Sequence, residues 1–434
     1  MTNPVALYWR TGSGADKVFA AAILLFFCFI GIDWSVAKNG LYLAVLIALG
    51  ALIFVRRAAQ VSPAGLDRLE WALIAVIVVW IAHSFLSWWV NDMPMHGDAH
   101  IKGRQAKLLL FIPLFLFIKR RGVPDWLFWT GALLAALIIS IDGLVLFFRN
   151  GSLRALKSIS EQGEGHYTIQ IAVMVATLVA YLWIAMMRYW RSCKPASVAA
   201  LLASLAGLAF LIASGVRGSW IALAVGGLII LVCSLRKSGA KAWLVFVAIS
   251  MVLMVSFYQL PFAKHGLERM YTEVYDYFEK DRKTSSTGTR FELWKASVVI
   301  AKKQPVFGAG PGRFTDAVAQ EFPDKKWLQQ FEYPHNQYFA ALGSRGFPGL
   351  ILLLLLLALP GFVFWKGLRD EDETRRHIAF AGLMLITIFA ISGLTYDHLE
   401  KRLQIAFFTV NLALLLGMLK WRPVKIEGES SGST

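Results

Sequence analysis

Residues 126–148 read WLFWTGALLAALIISIDGLVLFF, a run in which Asp142 is the one charged residue. A helix needs about 20 consecutive apolar residues to cross the hydrocarbon core of a bilayer, and this run is long enough. Runs of similar character occupy residues 18–37 and 69–90. The sequence therefore predicts a membrane protein made of helices.

The composition of the whole chain supports this prediction. Of its 434 residues, 57% are hydrophobic and 17% are charged, whereas a soluble domain of this length would carry more charge. The formal net charge is +16. Because the basic residues lie between apolar runs, we expect anionic membrane lipids or phosphate groups as partners and no nucleic acid. The three scattered cysteines predict neither a disulfide framework nor a Cys-based metal site.

Hydropathy predicts an all-α, polytopic membrane protein of about twelve transmembrane helices. The predicted spans are residues 18–37, 41–55, 69–90, 101–118, 126–148, 167–187, 196–213, 220–235, 242–260, 347–365, 378–394 and 403–419. Alternate loops are rich in Arg and Lys, at residues 56–68, 119–121, 188–194 and 236–241. The positive-inside rule assigns these loops and both basic termini to the cytoplasm.

This topology divides the chain into four parts. They are residues 1–260 with nine spans, 261–346 as a long hydrophilic loop, 347–420 with three spans, and 421–434 as a cytoplasmic tail. The long loop falls on the outer face, which is the periplasm in a Gram-negative cell, and we expect it to contain short helices. Apolar residues at 267, 270, 274 and 278 have helical spacing, which predicts an amphipathic helix lying on the bundle or the headgroups.

A tight turn between the seventh and eighth spans reads SGVRGSW over residues 214–220 and holds Arg217 at the outer surface. An Arg that snorkels to the headgroups is one interpretation. The positive-inside rule disfavours an Arg on this face, however, and the Gly and Ser neighbours leave backbone N–H groups open to an anion. Arg217 is therefore a candidate phosphate ligand.

A second basic residue, Arg290, lies in TGTRFELW. Thr289 and Glu292 fit a capping box, which would place Arg290 in the first turn of a helix. Its guanidinium would then add to the positive end of the helix dipole and could bind two phosphate oxygens at once. A surface Arg that balances Glu292 fits the spacing equally well.

The third feature is His335-Asn336, near the expected start of a short helix that breaks at the glycine-rich residues 343–349. A His can accept a proton from a sugar hydroxyl near neutral pH. Spacing alone does not separate such a base from a capping or surface His, since the chain has eight histidines.

The ordered set SGVRGSW, TGTRFELW, FGAGPGRF and HNQYFAALGSRGFPGL resembles the O-antigen ligase and polymerase superfamily, and these motifs lie between residues 214 and 350. The resemblance implies a glycosyltransferase of the bacterial inner membrane with its site on the periplasmic face. Its substrates would be an undecaprenyl-diphosphate-linked glycan and lipid A-core, and transfer to a sugar hydroxyl of the core would complete lipopolysaccharide. The resemblance implies that no nucleotide sugar is used.

The resemblance also implies roles for individual residues. Arg217 and Arg290 would hold the diphosphate and stabilise it as leaving group, while His335 would deprotonate the acceptor hydroxyl for an inverting displacement. Lys102, Arg104 and Lys107, at the outer end of the fourth span, could meet the diphosphate or the core phosphates, or else snorkel to lipid headgroups. A further substrate-binding candidate is Asn336, and Arg313, Arg345 and the pair Tyr396-Asp397 at the outer end of the eleventh span are weaker ones.

We expect no metal site and no cofactor. Metal-dependent membrane glycosyltransferases of the oligosaccharyltransferase class place an acidic pair in the first external loop, and residues 33–39 lack one. Asp370 and Asp372 form a D-x-D pattern, but in a predicted cytoplasmic loop. Glu279 and Asp281 lie on the correct face within a helix dense with charge, which is a weak metal signal.

Several other functions compete with the ligase. An O-antigen polymerase or a protein O-oligosaccharyltransferase would use the same donor. The short tail and the lack of an Arg-x10-Gly pattern after either arginine favour the ligase. A transporter or lipid flippase needs polar residues in mid-span and usually two similar halves, while the centres of these spans are almost wholly apolar. A structural scaffold fits the composition but not the motifs.

Overall fold

The computed structural model describes residues 12–54, 65–91, 104–150, 167–235 and 261–421, together with Tyr8 and Arg10. Within these residues the chain is all-α, with 14 α-helices and no strand. In chain order they are α1 (Gly14–Phe29), α2 (Trp34–Phe54), α3 (Arg68–Val90), α4 (Phe111–Arg121), α5 (Asp125–Asn150), α6 (Tyr167–Tyr189), α7 (Lys194–Ser214), α8 (Arg217–Leu235), α9 (Pro261–Glu279), α10 (Ser286–Lys303), α11 (Phe314–Glu321), α12 (Gln337–Gly367), α13 (Glu373–Ser392) and α14 (Arg402–Lys420). Short 3-10 helices occupy Ala106–Leu110, Lys326–Leu328 and His398–Glu400.

Eight of the described helices are long and apolar enough to cross a membrane: α2, α3, α5, α6, α7, α12, α13 and α14. A shorter apolar stretch, Arg217–Cys233, forms most of α8. The prediction of an all-α, polytopic membrane protein is confirmed. The predicted ninth span at 242–260 and nearly all of the predicted tail lie outside the described residues.

Two helices form the centre of the bundle. Every residue of α14 from Leu403 to Leu419 is buried, and most of α6 is buried as well. In α14 the polar residues Gln404, Thr409 and Asn411 are fully buried, and polar side chains of membrane helices face neighbouring helices, where they can form hydrogen bonds. Here α14 packs against α4 and α13, while α6 packs against α5, α7, α8 and α13.

Ion pairs join the helix ends at one face of the bundle. Lys119 at the end of α4 contacts Glu70 at the start of α3, at 2.5 Å, and both side chains are buried. Arg188 at the end of α6 contacts Asp125 at the start of α5, also at 2.5 Å, and donates to Thr374 at the start of α13. The basic loops at 119–121 and 188–194 therefore share one face, and the start of α12 lies at the other.

Two predicted spans have different bounds. The first apolar run was expected to extend to residue 37, but α1 ends at Phe29 and α2 begins at Trp34. The new helix begins there because the carboxylate of Asp33 caps it. This carboxylate accepts from the backbone N–H groups of Ser35 and Val36 at 2.8 and 3.3 Å. The fourth span is a 3-10 helix followed by the short α4. Pro113 near the start of α4 has no N–H to continue a helix backwards.

The longest helix, α12, is bent at Gly346, which has φ 66° and ψ −165°. The predicted short helix after His335 and the predicted tenth span are the two parts of this one element. The glycine-rich turn of FGAGPGRF lies against the bend: Ala309 donates to Gly343 at 2.9 Å, and Phe347 donates to Pro305 at 2.9 Å. A Cβ atom on Gly346 would lie 2.3 Å from the carbonyl oxygen of Pro305. Only glycine fits there.

We expect Gly346→Ala to destabilise the protein, because the positive φ alone costs about 1–3 kcal/mol with a side chain present and the clash with Pro305 adds to it. Gly361→Ala in the same helix is the matched control, since its Cβ would meet only a side-chain methyl of Ile386 at 3.4 Å. Thermal unfolding of both variants in one detergent measures the difference. Equal melting temperatures would show that the bend does not require glycine.

Candidate functional site

The turn carrying Arg217 packs against the segment between α13 and α14, residues 393–401, which we call the connector. Arg217 is exposed and is the first residue of α8. A Cβ atom on the next residue, Gly218, would lie 2.3 Å from the hydroxyl of Thr395. Glycine at this position therefore lets the turn approach the connector closely. This close approach places Arg217 beside the connector.

His335 faces the same connector from the other side. Its ring lies parallel to that of Tyr396, with centroids 6.4 Å apart and planes 12° apart, and meets Phe331 edge to face at 5.6 Å. Its Nδ1 is 3.9 Å from Oδ1 of Asp397. The residue has φ 52°, a conformation that is uncommon for non-glycine residues and often found where function constrains the backbone.

Asn336 and Gln337 fasten this His to the connector. Oδ1 of Asn336 caps α12 by accepting from Tyr338 and Phe339 at 2.9 and 3.2 Å, and its Nδ2 donates to the carbonyl of Leu394 at 2.9 Å. The backbone of Gln337 donates to Gly393 at 2.7 Å. Asn336 was predicted to bind substrate. Since it is buried and bonded to protein groups, the structure instead gives it a role in positioning His335.

Arg290 lies in the second turn of α10, and the predicted capping box is wrong. The helix begins earlier, at Ser286, because the hydroxyl of Ser285 accepts from the N–H of Gly288 at 3.0 Å. Glu292 is not a cap. It is buried and accepts from Tyr277 at 2.7 Å and from Lys325 at 2.5 Å.

Arg290 and Arg217 nevertheless come together. Arg290 is half-buried, and burial lowers the pKa of its guanidinium, with Glu273 opposing this effect and the positive charge of Arg217 adding to it. The carboxylate of Glu273 offsets part of the repulsion between the two guanidinium groups. Because each planar guanidinium can bind two phosphate oxygens at once, the pair is suited to a phosphate group.

Asp397 was a weak candidate in the sequence, but the structure places its carboxylate in a buried position next to His335. Its side chain is 1% exposed, and neither carboxylate oxygen has a hydrogen-bond partner among the described residues. Burial raises the pKa of this carboxyl to about 6, with Lys401 opposing the shift and Glu400 adding to it. An unsatisfied buried carboxylate facing a histidine is the arrangement that orients a catalytic imidazole.

Arg345 was predicted to bind substrate, and the structure corrects this. Its side chain is fully buried and forms a two-pronged ion pair with Glu400 of the connector, at 2.7 and 3.3 Å. Its Nε donates to Ser84 of α3 at 2.8 Å, and its guanidinium lies over the ring of Trp80, 4.8 Å from the centroid. With its donors used by protein groups, Arg345 joins α3, α12 and the connector.

The other predicted cations lie elsewhere. Arg313 donates to the backbone carbonyl of Asn91 at the end of α3, and its Nε is 3.5 Å from Asp316, so it anchors the glycine-rich turn. Arg104 and Lys107 lie near each other, in the segment just before α4. Lys102 lies outside the described residues.

An aromatic-lined cavity of about 530 Å³ opens next to the site, between α9, α10 and α12. Phe291, Trp294 and Phe339 form its wall, and the rings of Trp294 and Phe339 stack at 5.2 Å. Trp294 also donates to the carbonyl of Pro334 at 3.0 Å. The cavity wall is therefore attached to the segment that carries His335.

We expect Glu400→Gln to destabilise the protein by about 3–5 kcal/mol, because it leaves the guanidinium of Arg345 buried and uncompensated. Glu321→Gln is the control, since it breaks an ion pair with the exposed Lys303, a type of pair worth about 1 kcal/mol or less. Thermal unfolding compares the two variants. A melting temperature for Glu400→Gln no lower than that of the control would contradict this account of the pair.

Comparison of this sequence with known proteins supports the resemblance that the ordered motifs indicated. The profile of a family described as O-antigen ligase matches residues 202–354, which include Arg217, Arg290 and His335. An uncharacterized protein of Haemophilus influenzae is 26% identical over 288 residues, which cover 65% of this chain and 70% of that protein. The resemblance to the O-antigen ligase superfamily that the motifs predicted is confirmed over residues 202–354.

Proposed function

We propose that this protein is an O-antigen ligase. It transfers a glycan from undecaprenyl diphosphate to a sugar hydroxyl of lipid A-core, on the periplasmic face of the inner membrane. The observation that carries the proposal is the convergence of Arg217, Arg290 and His335 around the connector, on the face opposite the basic loops at 119–121 and 188–194. The positive-inside rule makes that basic face cytoplasmic.

In this mechanism Arg217 and Arg290 act on the donor. Breaking the bond between the anomeric carbon and the diphosphate oxygen leaves extra negative charge on the leaving group. Cations fixed beside that oxygen stabilise the developing charge without having to reorganise. The half-buried setting of Arg290 strengthens this attraction, because screening by water is weaker there.

His335 acts on the acceptor. One imidazole nitrogen takes the proton of the acceptor hydroxyl while the hydroxyl oxygen forms the new bond to the anomeric carbon, and the bond to the diphosphate breaks on the opposite side. Such a direct displacement inverts the carbon. Asp397, facing Nδ1 of His335 at 3.9 Å, fixes the tautomer and stabilises the imidazolium as it forms. Distances of this kind often shorten when substrate binds.

The central test is a reconstituted reaction with undecaprenyl-diphosphate glycan and lipid A-core in the presence of EDTA. We expect wild type to make capped lipopolysaccharide, seen as a shift on a gel. His335→Ala should lose about 10²–10⁴-fold in rate, the usual contribution of a general base. Arg290→Ala should lose at least as much, since the leaving group loses a cation.

Lys302→Ala is the matched control, because Lys302 is an exposed residue near the end of the same helix as Arg290. It should retain full activity. A wild-type protein that lengthens the donor glycan instead of capping lipid A-core is a polymerase, and the ligase proposal then fails.

The pKa of Asp397 gives a second test. Because burial raises this pKa to about 6, the carboxylate is mostly ionised above pH 6 and mostly protonated below it. Protonated Asp397 cannot stabilise an imidazolium, so we expect the rate to fall by about tenfold per unit as the pH drops below 6. In Asp397→Asn the acid limb of the pH–rate profile should move to the one set by protonation of the proposed base His335, and the maximal rate should fall.

Asp324→Asn is the control for this test, because Asp324 is an exposed carboxylate that is not among the charges acting on Asp397. Its profile should match that of wild type. An Asp397→Asn profile that is lower at every pH but unchanged in shape would mean that Asp397 serves the fold alone.

A further inference from the structure

The proposed reaction makes no use of the aromatic-lined cavity between α9, α10 and α12. Six aromatic side chains form most of its wall: Tyr277, Phe278, Phe291, Trp294, Phe322 and Phe339. Its volume of about 530 Å³ falls within the range of about 300–1,000 Å³ that is usual for small-molecule sites. A cavity of this size and lining is suited to a ligand that packs against aromatic faces.

Contacts among the rings hold the wall in a fixed shape. Trp294 and Phe339 stack with their planes 9° apart and their centroids 5.2 Å apart. Phe291 meets Trp294 at 67° and Tyr277 at 66°, with centroids 5.5 and 5.1 Å apart. The hydroxyl of Tyr277 donates to the buried Glu292 at 2.7 Å. Because these flat faces are already in place, a ligand that stacks on them pays little to order them.

Charged groups lie at the edge of the same cavity. Lys295 and Lys325 line it together with Glu292, and their ammonium groups contact that carboxylate at 3.3 and 2.5 Å. Both lysine side chains remain in contact with water. A hydrocarbon chain lying here would remove this water and return no hydrogen bonds, which is unfavourable. The cavity is therefore poorly suited to a lipid tail.

A sugar ring fits both features of the cavity. The faces of a pyranose carry C–H groups, which are apolar and slightly positive, whereas the face of an aromatic ring is slightly negative. The hydroxyl groups of the sugar lie around its edge. They can accept hydrogen bonds from the ammonium groups of Lys295 and Lys325, since each ammonium has three donors.

The position of the wall indicates which sugar it would meet. Phe291 follows Arg290 in α10, and Trp294, one turn later, donates to the carbonyl of Pro334 at 3.0 Å. Pro334 immediately precedes His335. In the displacement proposed above, the sugar that reacts lies between the diphosphate and the base. The wall is attached on both sides of that sugar, and the next sugars of the donor follow it.

We propose that the aromatic-lined cavity binds the first sugars of the donor glycan by stacking them on its rings. This inference rests on the proposed function and adds a sugar subsite to it. The two arginines recognise the diphosphate, which every donor of this class shares. The cavity recognises the glycan, and so it distinguishes a loaded donor from undecaprenyl diphosphate alone.

The experiment measures binding without transfer, with no acceptor lipid present. Protein in phosphatidylcholine nanodiscs is titrated with undecaprenyl diphosphate and with its glycosylated form, extracted from cells that lack this protein. We expect wild type to bind the glycosylated lipid at least about tenfold more tightly, a difference of 1.4 kcal/mol. Equal binding of the two lipids by wild type overturns the proposal.

Variants of Phe278 test whether an aromatic face is needed. This side chain is 71% exposed, so its replacement leaves the interior packing intact. Phe278→Leu keeps an apolar side chain but removes the ring, and it should lose most of the preference for the glycosylated lipid. Phe278→Tyr keeps the ring and should keep the preference. Tyr271→Ala is the matched control and should also keep it, because Tyr271 is an exposed ring of the same helix that does not line the cavity.

Val298→Trp tests the cavity itself, because Val298 lines it and a larger side chain there would fill it. This variant should also lose the preference. An unchanged preference in Phe278→Leu, or in a folded Val298→Trp protein, overturns the proposal. Where Val298→Trp does not fold, the Phe278 variants decide the question.

Two further titrations separate the sugar of the donor from other ligands. Binding of undecaprenyl diphosphate alone should be the same in wild type and Phe278→Leu, and a loss there would assign the cavity to the isoprenoid chain and overturn the proposal. Binding of lipid A-core relative to lipid A should also be unchanged, and a loss there would assign the cavity to the acceptor and overturn it.

These readouts need no turnover, so the inference and the proposed function can fail separately. A protein that shows the cavity-dependent sugar preference but makes no capped product leaves this inference standing while the ligase reaction fails. A protein that makes capped product but binds both donor lipids equally retains the ligase reaction and overturns this inference.

Discussion

The ion pair between Arg345 and Glu400 is the contact on which the arrangement of the site depends. Both side chains lie in the interior, where an ion pair is stable only if its geometry is good and its other polar atoms are bonded. Ser84, Trp80 and Gln105 supply those partners. The pair therefore fixes α3, the first part of α12 and the connector relative to one another, and every proposed catalytic side chain lies on or against these elements.

The connector is where the motifs meet. Arg217 reaches it through the close contact of Gly218 with Thr395, and His335 reaches it through Tyr396 and Asp397. The family motifs are separated by long stretches of sequence because they are contributed by different helices. They are brought together by a segment of nine residues that carries none of those motifs. Its contribution is two buried carboxylates, Asp397 and Glu400, and a set of backbone hydrogen-bonding groups.

The sequence was sufficient for the fold class, and its ordered motifs pointed to Arg217, Arg290 and His335, whose roles stay a prediction. Long apolar runs and ordered motifs are both local signals. The sequence did not predict the role of a residue whose partner lies far away in the chain. Nothing near Arg345 in the chain shows that Glu400 saturates its guanidinium, and nothing near Asp397 shows that His335 faces it. The capping error at Thr289 has a local cause, because Ser285 provides an equally good N-cap one turn earlier. The N-cap of α2 also has a local signal that the prediction missed, because Asp is a common N-cap residue and Asp33 caps α2.

The bend in α12 has a consequence for the membrane around the protein. The part after Gly346 extends to Gly367 and is about 32 Å long at 1.5 Å per residue, close to the thickness of the hydrocarbon core. The part before the bend stands above it and carries His335 at its tip. The height of the base over the lipid surface is thus set by the match between this helix and the bilayer. Lipids with shorter chains would tilt the helix, and lipids with longer chains would be thinned around it. Either change would shift His335 relative to substrates whose own anchors follow the lipid surface.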